Sequence, residues 1–83
     1  MNEDFEHFLL AEHANMKADL ILGKNLKEHY SKIAVVIFEL NRRIDQLEAS
    51  GDRSPARSFE CLAYSFYRRK EDFEKAIRDQ QRD

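Results

Sequence analysis

The sequence predicts an all-α fold, a three-helix bundle or a long antiparallel helical hairpin, with the capacity to dimerise into a larger bundle. Three observations predict it. Leu26, Ile33, Leu40 and Leu47 fall seven residues apart with Tyr30, Ile37 and Ile44 between them, a 3-4 apolar seam that gains free energy only when another helix covers it. The 83 residues are 42% hydrophobic and 36% charged with two glycines and one proline, which leaves little punctuation for strands and their turns. The clearest break is Ser50-Gly51-Asp52-Arg53-Ser54-Pro55, where Gly51 suits the left-handed position after one helix and Pro55 the first turn of the next.

The first helix is expected over about residues 3–22. Glu3, Asp4 and Glu6 sit where carboxylates favour a helix start. Phe5, Leu9 and Met16 continue the seven-residue phases of the seam, but Glu12, Asp19 and Gly23 interrupt them. Those faults favour a break at Gly23 over one helix running from Glu3 to Ala49. Asn25, followed three residues on by Glu28, resembles a capping box for the middle helix, expected over 26–49. Ser54 as cap and Pro55 at the first helical position open the third helix, expected over 55–81. Its stripe is Phe59, Leu62, Phe66, Phe73 and Ile77 with Ala63 alongside, interrupted by Arg69 or Lys70, whose long stems can snorkel.

The middle helix carries more than its seam. Ala34, Val35 and Phe38 project to its side or back at about 100° per residue, so the stretch from Ile33 to Phe38 is apolar nearly all round. Cover on two sides is therefore expected, by the third helix on one face and by the first helix, or a second copy of the chain, on the other. Val35 and Phe38 are expected to be core if the first helix covers them, the reading that burial favours, and an exposed interface if it does not.

A chain this short forms one domain, residues 1–83, with a modest core of its own, which association would enlarge. The net charge of −2 hides an asymmetry. Residues 1–22 carry Glu3, Asp4, Glu6, Glu12 and Asp19 against Lys17, and the remainder holds thirteen cations and eleven anions. This layout suits packing within the chain or head to tail better than a general nucleic-acid binder, which is usually basic overall. Cys61 is the only cysteine, so no disulfide framework is available and a reducing compartment is indicated. The apolar run Ile33 to Phe38 is too short to span a bilayer, and a cytoplasmic location away from membranes is expected.

Chemistry-bearing patterns are weak. His7, His13 and His29 each have a carboxylate neighbour at Glu6, Glu12 and Glu28, but adjacent helical residues point about 100° apart, whereas helical metal sites pair residues one turn apart. Asp4-x-x-His7 is the only pair with the carboxylate-x-x-His spacing of such sites, and it is terminal. No metal, cofactor or catalytic residue is expected, and no nucleophile-base set or phosphate loop is present, so the chain reads as non-enzymatic. Tyr64, Tyr67 and Arg68, followed by Arg69 and Lys70, place aromatics and cations on one stretch. Tyr and Arg are enriched in interaction hot spots. The alternatives are that the tyrosines close the edge of the core while Arg68 and Lys70 pair with Glu71, Asp72 or Glu74, or that the stretch stacks bases and neutralises phosphates.

Tyr67 through Ile77 resembles the centre of a tetratricopeptide repeat, although Lys70-Glu71 stands where that family has its turn glycine and too few residues follow Ile77 to complete a repeat. One continuous helix is expected there. The plan of a long helix, a Gly-Asp-Ser-Pro turn and a second long helix over residues 26–81 is similar to the small helical co-chaperones of type III secretion needle subunits. It also resembles the RNA-binding helical hairpins of plasmid copy-number control. The first resemblance implies holding an amphipathic helix of another protein, and the second a dimeric bundle presenting a polar face to RNA.

The function expected is a helical protein-interaction module, such as a small chaperone, adaptor or inhibitor, that binds a partner by helix-on-helix packing through Val35, Phe38, Tyr64, Tyr67 and Arg68. A homodimer is a further expectation. The alternative is a nucleic-acid-binding bundle and small regulator using Arg42, Arg43, Arg53, Arg57, Arg69 and Lys70, which requires those cations to share one face.

Overall fold

The computed structural model describes residues 2–82; Met1 and Asp83, the ends of the expected domain, lie outside the described residues. Three helices follow in order: α1 (Asn2–Leu22), α2 (Leu26–Ala49) and α3 (Arg53–Gln81). They pack against one another in a rod of 51 × 18 × 15 Å. The all-α three-helix bundle is the observed architecture, and there is no strand among the described residues.

Both helix breaks are glycine stops of one kind. Gly23 has φ +69° and Gly51 φ +80°, the left-handed region that a Cβ makes costly. At the end of α1 the Gly23 amide donates to the Leu20 carbonyl and the Lys24 amide to the Asp19 carbonyl. At the end of α2 Gly51 donates to Glu48 and Asp52 to Leu47. This double closure satisfies carbonyls that a helix end leaves without partners. The expected N-terminal caps are not used. Asn25 is left-handed (φ 55°) and makes no side-chain cap bond; its amide Nδ2 lies 3.5 Å from the Asp19 carboxylate instead. α3 begins at Arg53, with Asp52 rather than Ser54 at the cap. Pro55 therefore sits in the third position of the helix, still within the turn whose amides have no helical acceptor.

The core is built on the hairpin of α2 and α3. Ile33, Val36, Ile37, Leu40 and Ile44 meet Phe59, Ala63, Phe66 and Phe73, the seam and the stripe expected of these helices. α1 adds two fully buried side chains, Leu9 and Met16, with Phe5 and Leu20 partly buried beside them. Phe5 meets Phe59 edge-on at 6.0 Å and lies under the Arg43 guanidinium at 3.9 Å, and His13 meets Phe66 at 5.2 Å. α1 thus lies in the groove between the two other helices and touches both.

That placement corrects the sandwiched middle helix. The back of α2 has no cover: Val35 is 68% and Phe38 71% exposed, where core was expected. The physical reason is the phase of the α1 seam. Leu9 and Met16 reach the core only if α1 seats in the α2–α3 groove, and from there α1 cannot also lie on the far side of α2. The seam faults Glu12 and Asp19 become the edge contacts of this seat. Lys32 donates to Glu12 at 2.9 Å, and His29 Nε2 lies 2.6 Å from Asp19.

Candidate functional site

Four of the five expected partner-contact residues fall into two pairs. Phe38 and Asn41 are one turn apart on α2, and Asn41 Nδ2 lies 3.4 Å from the Tyr67 hydroxyl on α3, so Phe38 and Tyr67 share one side of the hairpin, the side that α1 leaves open. Tyr30, Lys70 and Glu74 continue that side toward the free end of the rod. The Tyr30 hydroxyl donates to Glu74 at 2.7 Å, and the Lys70 ammonium lies 5.7 Å from the Tyr30 ring. Bonding to the carboxylate and the negative charge of Glu74 hold the Tyr30 phenol above its usual pKa. Val35 lies farther round α2, at the outermost part of its back.

Tyr64 and Arg68 form the other pair, on the shoulder of α3. Arg68 Nη1 is 3.4 Å from the Tyr64 hydroxyl, and its guanidinium carbon is 6.0 Å from the Tyr64 ring. Both border a cleft of about 240 Å³ between α1 and α3, lined also by His13, Ser65, Arg69 and Asp72. Tyr64 and Tyr67, expected as neighbours one turn apart, therefore look toward different neighbours. Both are exposed rather than sealed into the core edge.

Arg69 is partly buried instead, with 13% of its side chain exposed. Its Nη2 lies 3.4 Å from His13 Nε2, its Nη1 lies 3.7 Å from Asp72, and its Nε is buried without a hydrogen-bond partner. Burial and the adjacent guanidinium lower the pKa of His13, because a cationic ring there would be desolvated and repelled. A neutral ring lets Nε2 accept from Arg69. This is how a charged residue interrupting the α3 stripe is accommodated, and it ties α3 to α1.

The cations required by the nucleic-acid alternative do not gather. Arg42 and Arg43 both bind Glu39, at 2.6 and 3.0 Å, and hydrogen bonding to Arg42 and then Arg43 holds the Glu39 carboxyl down at about 2. Arg53 and Arg57 lie at the start of α3, beside Glu48 and Glu60 and about four turns before Lys70. Arg69 is partly buried. Among the described residues no group of three or more His, Cys, Asp or Glu side chains is placed to hold a metal ion. Cys61 is exposed. Among the described residues no helix is long and apolar enough to cross a membrane.

Sequence reasoning missed the outer face of α1. Phe8, Leu10, Ile21 and Leu22 are all half exposed or more, although the helix was read for its acids. The signal lay in the adjacent apolar pairs Leu9-Leu10 and Ile21-Leu22. Neighbours on a helix point about 100° apart, so both members of such a pair cannot face the same groove. No family model, no curated protein and no solved structure matches the chain.

Proposed function

We propose that this chain is a non-enzymatic helical interaction module, a small cytoplasmic chaperone, adaptor or inhibitor that receives an amphipathic helix of another protein on the open side of the α2–α3 hairpin. One observation carries the reading: Phe38 and Val35 stand at 71% and 68% exposure on a bundle whose core is already filled by thirteen other apolar side chains. Exposed large apolar groups that the core does not require mark interaction surfaces when they cluster. Phe38 and Tyr67 supply an aromatic centre beside Asn41, which bonds the Tyr67 hydroxyl, and Tyr30, Lys70 and Glu74 supply a polar margin. Aromatic anchors with a polar rim are the usual anatomy of a helix-receiving surface.

The test uses the full chain as bait in an extract of its native host, with Phe38→Glu/Tyr67→Glu as the paired control and recovery quantified by mass spectrometry. Both positions are exposed, so the control keeps its helical circular dichroism. A protein recovered at least tenfold better by the wild type, then mapped to a helical segment that binds as a synthetic peptide, supports the reading. Equal recovery of every protein by bait and control sinks it.

A further inference from the structure

Arg68 and Arg69 on α3 repeat an arrangement that α2 builds from Arg42 and Arg43, with one residue changed. On α2 the two guanidiniums converge on Glu39, three and four residues before them. Arg42 bonds it through Nε at 3.0 Å and Nη2 at 2.6 Å, and Arg43 through Nε at 3.0 Å. Residues at those offsets share one helix face, which is why one carboxylate serves both arginines. In each pair the second arginine also meets α1, Arg43 at Phe5 and Arg69 at His13. The same offsets from Arg68 and Arg69 lead to Ser65, whose side chain carries no charge and is too short to meet a guanidinium one turn on. Its hydroxyl donates to the Cys61 carbonyl instead.

Among the described residues no acid serves both arginines of α3 as Glu39 serves those of α2. Arg69 has 13% of its side chain exposed, and a guanidinium so far withdrawn from water needs a counter-charge and hydrogen bonds. The neutral His13 ring gives it an acceptor but no charge. Asp72, at 3.7 Å, lies beyond hydrogen-bond reach and is itself 56% exposed, and Arg69 Nε has no partner. Arg68 contacts the Tyr64 hydroxyl at 3.4 Å, and Glu71 and Asp72 act on it only as charges at longer range. Both arginines line the cleft of about 240 Å³ between α1 and α3. That is smaller than the roughly 300–1,000 Å³ of pockets for drug-sized molecules, and suits a small group.

We propose that this cleft binds a phosphate group, as the free ion or a monoester, gripped by the guanidiniums of Arg68 and Arg69 above Ser65 as Glu39 is gripped on α2. The Tyr64 hydroxyl accepts from Arg68, so its own hydrogen can donate to the same ligand. Donors approaching from two arginines and a phenol match a tetrahedral, doubly charged oxyanion better than a planar, singly charged carboxylate, and guanidinium forks suit phosphate oxygens. Asp72 opposes the ligand's charge, but it stands largely in water and is free to turn outward. The site lies on the α1 side of α3, apart from the open side of the hairpin assigned to a partner helix.

Titration of the full chain at pH 7 with inorganic phosphate, phenyl phosphate and acetate, followed by amide NMR, tests the proposal. Phosphate is expected to bind saturably with a Kd below about 5 mM, with shifts centred on residues 13 and 64–72, and acetate at least tenfold more weakly. Tighter binding of phenyl phosphate than of the free ion assigns the site to a monoester, and the reverse order to inorganic phosphate. Ser65→Glu installs on α3 the acid that α2 already has, and should abolish binding while raising the urea midpoint. Arg68→Gln, at an exposed position, should weaken binding at least fivefold with helical circular dichroism unchanged. Phe38→Glu/Tyr67→Glu leaves phosphate binding unaltered, so failure of this proposal and failure of the partner-helix reading are distinguishable. No saturation up to about 50 mM, acetate bound as tightly as phosphate, or binding indifferent to Ser65→Glu overturns the proposal.

Discussion

The α2–α3 hairpin and α1 bury apolar surface in different ways. In the hairpin, Phe59, Phe66 and Phe73 from one helix and Ile33 and Leu40 from the other are almost wholly inaccessible, and the seam of each helix is used along its length. α1 commits only Leu9 and Met16 completely and leaves Phe8, Leu10, Ile21 and Leu22 outside. α2 and α3 each turn a long apolar stripe to one another, although α2 also keeps Val35 and Phe38 outside, whereas α1 buries only part of its apolar residues. With only two side chains fully buried, α1 is held less firmly than the hairpin. The stability of the fold thus rests mainly on the hairpin.

The sharpest way to break this contrast is Phe66→Ala, which removes a ring at the centre of the hairpin that also supports His13. A loss of about 3–5 kcal/mol is expected from such a cavity, with all three helices melting together in urea followed by circular dichroism. Met16→Ala should cost less, about 2 kcal/mol, at the low end for a buried methionine because α1 can detach before the hairpin opens. Amide exchange should then accelerate in residues 2–22 and stay slow in α2 and α3. Uniform acceleration across all helices would show that α1 is no less firmly held than the hairpin.

The two helix stops offer a finer comparison. Gly23→Ala and Gly51→Ala each force a side chain into the left-handed region at about 1–2 kcal/mol. At Gly23 the new Cβ also meets the Gln80 side-chain amide at 3.2 Å, whereas nothing lies within 4 Å at Gly51. Gln80 Nε2 donates to the Gly23 carbonyl, so Gly23→Ala should be the costlier substitution by a few tenths of a kcal/mol, and urea midpoints of the two variants measure the order.

The smallest expected effects are in pH. His13 has its pKa lowered from 6.5 by burial and Arg69. The unfolded chain therefore takes up this proton first, and stability contributed by the neutral ring is present above pH 6.5 and lost as pH falls through the folded value. His13→Gln should flatten that limb of the stability profile. Asp19 is lowered from 3.8, chiefly by its bond to His29, and Glu39 from 4.5 to about 2 by Arg42 and Arg43. Depressed carboxylates stabilise above their unfolded values and lose that contribution as pH drops through the folded ones. A second decline is thus expected from the 3.8–4.5 range downward, and Asp19→Asn should reduce it with α1 exchange responding first.

Much of this was legible in the residues. The seam from Leu26 to Leu47 and the stripe from Phe59 to Ile77 are periodic over many turns, and Gly23 and Gly51 end helices because only glycine enters the left-handed region cheaply. The capping details were not legible. Asn25 and Ser54 are good cap residues, but side-chain reach to Asp19 and a start at Arg53 depend on where neighbouring helices lie. The candidate surface was half legible: Val35, Phe38, Tyr64, Tyr67 and Arg68 could be named, but not that α1 would leave Val35 and Phe38 bare, nor that Arg69 would turn inward to His13. The apolar pairs of α1 were visible and were outweighed by its acids.

By itself the sequence determined the all-α class and which stripe of α2 and α3 is buried, and it favoured a break at Gly23 over one long helix, because periodicity and backbone sterics are local properties. Only the tertiary structure decided which groove receives α1. Leu9 and Met16 fit a groove walled by two helices better than the convex back of one, since a groove covers a side chain from both flanks. That choice, made by packing between segments distant in the chain, leaves the back of α2 and the outer face of α1 exposed.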